Sequence, residues 1–130
     1  MKKNLFFLLF LSLVSLLQQQ LFAQGLTNQG NLQVHNGAGL SSSLPFTNSS
    51  TATLVNNGSI YLKADVTNHQ VAMATGAGTL YIDGSAAQQL TGSATLKTYH
   101  LVTDNSSGIT LNNDLSVGGN HNFVNGLISS

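Results

Sequence analysis

The 130-residue sequence has no cysteine and no tryptophan, no arginine and no glutamate, and a single proline, Pro45. Without cysteine there is no disulfide framework, no thiolate zinc site and no cysteine nucleophile. Charged residues make up 6% of the chain, against roughly 25% in an average soluble protein. Nucleic-acid binding is excluded on that ground, because nothing is present to neutralise a run of phosphates. A polybasic membrane patch is absent for the same reason. Long apolar runs are scarce too: the one stretch, residues 5–17 (LFFLLFLSLVSLL), is shorter than a membrane span. Spanning a bilayer takes roughly 17–25 residues.

That stretch reads as an address. Lys2 and Lys3 precede it, Gln18, Gln19 and Gln20 end it, and Leu21-Phe22-Ala23 places a small residue before Gln24. Residues 1–23 are therefore expected to be a secretory signal peptide cleaved after Ala23. An uncleaved membrane anchor is the alternative, disfavoured by length. No cysteine follows the apolar run, so a lipid anchor is excluded. The expectation is a chain exported through the inner membrane, secreted or held at the cell surface, with no membrane segment after cleavage. From Gln24 onward Lys63 and Lys97 face Asp65, Asp83, Asp104 and Asp114, a formal charge of −2. With so little charge, amides and hydroxyls are expected to wet the surface.

Asparagine, glutamine, serine and threonine dominate residues 24–130, and all 13 glycines lie there. The apolar residues are not scattered. They alternate in short runs such as Leu32-Gln33-Val34, Ile60-Tyr61-Leu62, Leu80-Tyr81-Ile82 and Ile109-Thr110-Leu111. Period-2 alternation predicts half-buried strands, and no stretch after Ala23 shows a helical period. Residues 66–77 read as strand plus loop. Gly30, Gly58 and Gly78 each open a Gly-polar-aliphatic-any-aliphatic pattern. Turn signals such as Asn56-Asn57-Gly58 and Gly118-Gly119-Asn120 separate the runs.

Self-similarity on this scale indicates a repeat architecture. The fold class is all-β, a parallel β-solenoid (β-helix) of short irregular coils; a β-sandwich of hairpins is the alternative. Short strands, Asn/Gly corners, abundant amides suited to stacked ladders and few large aromatic anchors favour the solenoid. Residues 24–50, which hold Pro45, are expected to form an irregular N-terminal cap, and residues 51–130 the solenoid repeats. The last residues, Gly126-Leu127-Ile128-Ser129-Ser130, read as a fresh strand. The solenoid is accordingly expected to be truncated at Ser130, its partners there being further coils or self-stacking.

The stretch from Gly78-Thr79-Leu80-Tyr81-Ile82-Asp83-Gly84 through Ala86-Ala87-Gln88-Gln89-Leu90-Thr91-Gly92 resembles a unit of large exported surface proteins of Bacteroidota. Leu101-Val102-Thr103-Asp104-Asn105, Gly108-Ile109-Thr110-Leu111, Asn125-Gly126-Leu127-Ile128 and Asn56-Asn57-Gly58-Ser59-Ile60-Tyr61-Leu62 are similar to neighbouring units of the same proteins. The likeness covers residues 54–130. It implies the N-terminal segment of an adhesin-like β-solenoid, in a family many of whose members are type IX secretion substrates. It implies no catalytic residues.

Candidate sites are few. Asp65, Asp83 and Asp104 are spaced near one or two coils, and a stacked acidic corner would bind Ca²⁺. Against this, no Asp-x-Asp-x-Asp or Gly-Gly-x-Gly-x-Asp ladder is present, so no cofactor and no metal ligand set is assigned. Hydrolysis of a polysaccharide needs a carboxylate pair, for which Asp104 and Asp114 are the candidates in principle. Lyase chemistry lacks arginine, and Lys63 and Lys97 are isolated, so the chain is expected not to be an enzyme. His35, His69, His100 and His121 show no metal-ligand spacing. A regular Thr-x-Thr array of the ice-binding kind is missing; Thr51-Ala52-Thr53 stands nearly alone. Tyr61, Tyr81 and Tyr99 recur at nearly equal intervals. Placed between aliphatics, Tyr61 and Tyr81 face outward, so the three tyrosines are the candidate ligand-facing ladder, either for surface glycans or as a structural stack. The expected function is a non-enzymatic structural or adhesive segment of an exported cell-surface protein. The alternative is a carbohydrate-binding or carbohydrate-cleaving β-helix.

Overall fold

The structure, a computed structural model, describes residues 24–130. The leader expected over residues 1–23 lies outside the described residues. Alternating side chains produce thirteen strands, all but two of them short, and no helix among the described residues. Every strand pairing is parallel, which removes the hairpin sandwich and leaves a parallel β-solenoid of about five turns.

The turns build three faces. The first face stacks β1 (Leu26–Asn28), β4 (Phe46–Asn48), β7 (Val66–Asn68) and β9 (Gln88–Gly92). The second carries β2 (Asn31–Val34) on β5 (Thr53–Asn56), then β10 (Leu96–Thr98) on β12 (Leu115–Val117). The third stacks β3 (Gly39–Ser42), β6 (Ser59–Leu62) and β8 (Thr79–Ile82). The long strands β11 (His100–Leu111) and β13 (His121–Ser129) start on the third face and bend through the corner onto the first, joining both faces into one nine-stranded sheet. Positive φ at Gly108 and Gly126 sits at those bends.

Inward positions carry the core. On the third face these are Ile60, Leu62, Leu80, Ile82 and Leu101; on the first, Phe46, Val66, Leu90 and Ile109. The second face adds Val34, Leu54 and Leu96, and Met73 fills it where the third turn has no strand. Residues 66–77 form β7 followed by loop, as the pattern indicates.

Two expectations change. Residues 24–50 are not irregular: β1, β2 and β3 form a complete first turn in register with the second. Its serines and glycines hide the alternation. The glycine-led pattern also mixes faces. Gly58 and Gly78 precede β6 and β8, one turn apart on the third face, whereas Gly30 precedes β2 on the second.

Many amides are inside rather than on the surface. Asn28, Asn48 and Asn68 occupy equivalent positions at the end of the first face and form a ladder. Asn28 Nδ2 donates to Asn48 Oδ1 and Asn48 Nδ2 to Asn68 Oδ1, both at 2.9 Å. Asn48 and Asn68 are wholly buried. Buried Gln70 joins the ladder, its Oε1 accepting from Asn48 Nδ2 at 2.8 Å and from the Leu54 amide at 2.9 Å. A second knot sits between the third and first faces. There Gln88 Nε2 donates to the Leu62 and Ala64 carbonyls, and its Oε1 accepts from the Gly84 amide and Asn105 Nδ2. Buried amides are tolerable only when satisfied this fully. The ladder stops at Gly92, which pairs with Asn68. At Gly92, with φ +127°, a Cβ would overlap the Asn68 carbonyl.

Candidate functional site

Outward positions align in columns as regular as the core. On the third face the register Ser41–Tyr61–Tyr81–Val102 forms one column. The Tyr61 and Tyr81 rings stack with centroids 4.3 Å apart and planes 16° from parallel. That separation is close to the strand spacing of about 4.8 Å, so the rings lie across the stack, each covering one face of the other.

Tyr99 does not join this column. The chain reaches the register partner of Tyr81 only at Val102, so Tyr99 comes too early in the turn to fill the position. Tyr99 lies outside the strands, 41% exposed and edge-on to the His100 ring at 4.6 Å.

Two positions beyond each stacked tyrosine, hence also outward, stand Lys63 and Asp83. Lys63 Nζ reaches Asp83 Oδ2 at 2.8 Å. Asp83 Oδ1 is buried without a hydrogen-bond partner. Next to the pair, a groove of about 390 Å³ runs along the corner between the third and first faces. Ser43, Pro45, Lys63, Asp65 and the segment Ser85-Ala86-Ala87-Gln88 line it.

The aspartates separate. Asp65 leads into β7, and its Oδ1 accepts from the Gln89 amide at 2.8 Å. Asp83 follows β8 and Asp104 lies within β11, both on the third face, while Asp114 leads into β12 on the second. No group of three or more acidic or histidine side chains gathers among the described residues. Three histidines tie successive turns. His69 Nδ1 lies 2.9 Å from Ser93 Oγ, His100 Nδ1 accepts from the Asn120 amide at 3.1 Å, and His121 Nε2 lies 3.0 Å from Thr103 Oγ1. His35 is exposed at the corner after β2.

A further repeat in the sequence becomes visible once the register is known. Leu-Thr-Asn-Gln from Leu26, Phe-Thr-Asn-Ser from Phe46, Val-Thr-Asn-His from Val66 and Leu-Thr-Gly-Ser from Leu90 form a repeat with two equal steps and a longer third. It encodes the core column, the outward threonine column Thr27–Thr47–Thr67–Thr91 and the asparagine ladder together. The threonine column is single, and at its end Thr67 Oγ1 lies 2.9 Å from Thr91 Oγ1.

The fold and its columns define a parallel β-solenoid with uncharged hydroxyl and amide faces and one aromatic and ion-pair cluster at a grooved corner. The chain matches no family model, no curated protein and no solved structure.

Proposed function

We propose that the chain is a non-enzymatic structural or adhesive segment of an exported cell-surface protein. The supporting observation is the stack itself. Turns joined by parallel pairing grow as a rod, each adding about 4.8 Å along the axis, and the lateral faces repeat the same hydroxyl and amide chemistry from turn to turn. Such a rod separates an attachment point from a contact surface. Where β13 leaves backbone donors and acceptors free, further coils or a second copy would continue the pairing. The lysine-led apolar stretch at the start of the sequence supports export.

Immunolabelling of intact and permeabilised cells tests this reading. Labelling of intact cells that is removed by external protease is the expected outcome. Antigen reached only after permeabilisation would contradict it.

A second reading, a carbohydrate-binding β-helix, is favoured by one cluster: the Tyr61–Tyr81 stack beside the Lys63–Asp83 pair and the corner groove.

A further inference from the structure

We propose that the notch formed by Ser41, Ser43, Tyr61 and Lys63 binds a neutral pyranoside, with the corner groove receiving the adjoining sugar. The proposal rests on the adhesive reading and names the contact surface and its ligand class.

Stacking alone leaves a ladder of tyrosines with edges and hydroxyls to offer, because each ring covers its neighbour's face. Here the ladder has only two rings. The far face of Tyr81 looks toward Val102, a β-branched side chain able to cover it. The far face of Tyr61 looks toward Ser41, which is exposed and too small to cover an aromatic ring. Tyr61 is therefore the one ring of the pair with an open face. The C–H face of a pyranose is the natural complement to the negative face of such a ring.

Polar side chains flank the ring. Lys63 stands two positions beyond Tyr61 on the same outward side and lines the groove with Ser43 and Pro45. Its ammonium donates to Asp83 Oδ2 and keeps further donors for ring oxygens. Asp83 Oδ1 is, among the described residues, the one buried side-chain oxygen or nitrogen without a hydrogen bond. It sits beside Tyr81, on the side of Lys63 away from Ser41, and its other oxygen holds the lysine. Ser43 adds an exposed hydroxyl.

Charge sets the class. Lys63 is already neutralised by Asp83, and Asp65 adds a negative charge to the groove. Acidic glycans are disfavoured. The groove offers only Pro45 and alanines as apolar surface, too little to anchor peptide side chains.

The test uses the full chain on an array of neutral oligosaccharides (glucan, xylan, mannan and galactan fragments), with sialylated glycans as the acidic comparison. Titration with the best-retained neutral glycan follows. Retention of a neutral glycan is expected, weakened about tenfold by Tyr61→Ala and unchanged by Tyr99→Ala. The decisive variant is Ser41→Phe. It extends the ring stack over the open face, so melting temperature is held or raised while binding falls about tenfold or more. No neutral glycan retained, a preference for sialylated glycans, or binding that survives Ser41→Phe would each overturn the proposal. Surface labelling separates the two ideas: a chain exposed on intact cells that binds no glycan sinks this site and leaves the structural reading standing.

Discussion

The first three turns and the last two use the same parallel pairing but hold it differently. From β1 to β7 the turns advance by equal steps, and the Asn28–Asn48–Asn68 ladder bonds each turn to the next inside the core. After Gly92 no asparagine continues that ladder. The later turns have one buried amide knot, Gln88 with Asn105, and otherwise rely on the long bent strands β11 and β13 and on histidine contacts near the surface. No residue after Ile109 is buried. An internal amide ladder fixes register at each step, because a slip by one position would strand several buried amides at once. Backbone pairing alone sets register less strictly, and β11 against β13 shows shifts at two places.

Substitutions can break or sharpen this contrast. The largest effect is expected in the core of the early block: Phe46→Ala should cost about 4 kcal/mol, read from urea unfolding. Asn48→Ala should cost about 3 kcal/mol, since it removes one acceptor and two donor contacts from buried partners. At the junction, Gly92→Ala should cost about 2 kcal/mol or more, because a left-handed backbone and the Asn68 carbonyl both oppose a Cβ. It should also separate the unfolding of the two blocks, visible as probe-dependent transitions. In the late block Phe123 occupies an inward register position but is 51% exposed. Phe123→Ala should therefore cost less than about 1 kcal/mol in the same assay. Smallest is Lys63→Ala: its pair with Asp83 is partly exposed, so a loss within about 0.5 kcal/mol is expected. A loss several times larger would mean the corner is tighter than its exposure indicates.

How much of this is legible in the sequence differs by position. Alternation locates Ile60, Leu62, Leu80 and Ile82 on the inside and Tyr61 and Tyr81 on the outside, because side-chain direction in a strand is strictly two-fold. Short strands and amide-rich corners point to the solenoid. Tyr99 departs from the expected ladder because the turn lengths are unequal, and sequence spacing cannot reveal where a turn has gained residues. The longer step from Val66 to Leu90 likewise disguises the aliphatic-Thr-Asn repeat. Composition suggests amides that wet the surface. Asn48, Asn68, Gln88 and Asn105 are buried instead, since stacked turns supply amide and carbonyl partners above and below, and composition carries no trace of that pairing. The open ring face of Tyr61 depends on Ser41, one full turn earlier in the chain, and becomes visible only once the register is known.

Native-state hydrogen exchange tests the central claim most directly. If the internal amide ladder is what locks the early turns, the slowest amides will be those of β4 and β7 beside Asn48 and Asn68, and β13 will exchange first. In Asn48→Ala the protection of β4 and β7 should fall toward that of β13. Protection that is uniform along the stack, or unchanged at β4 and β7 when Asn48 is replaced, would contradict the account.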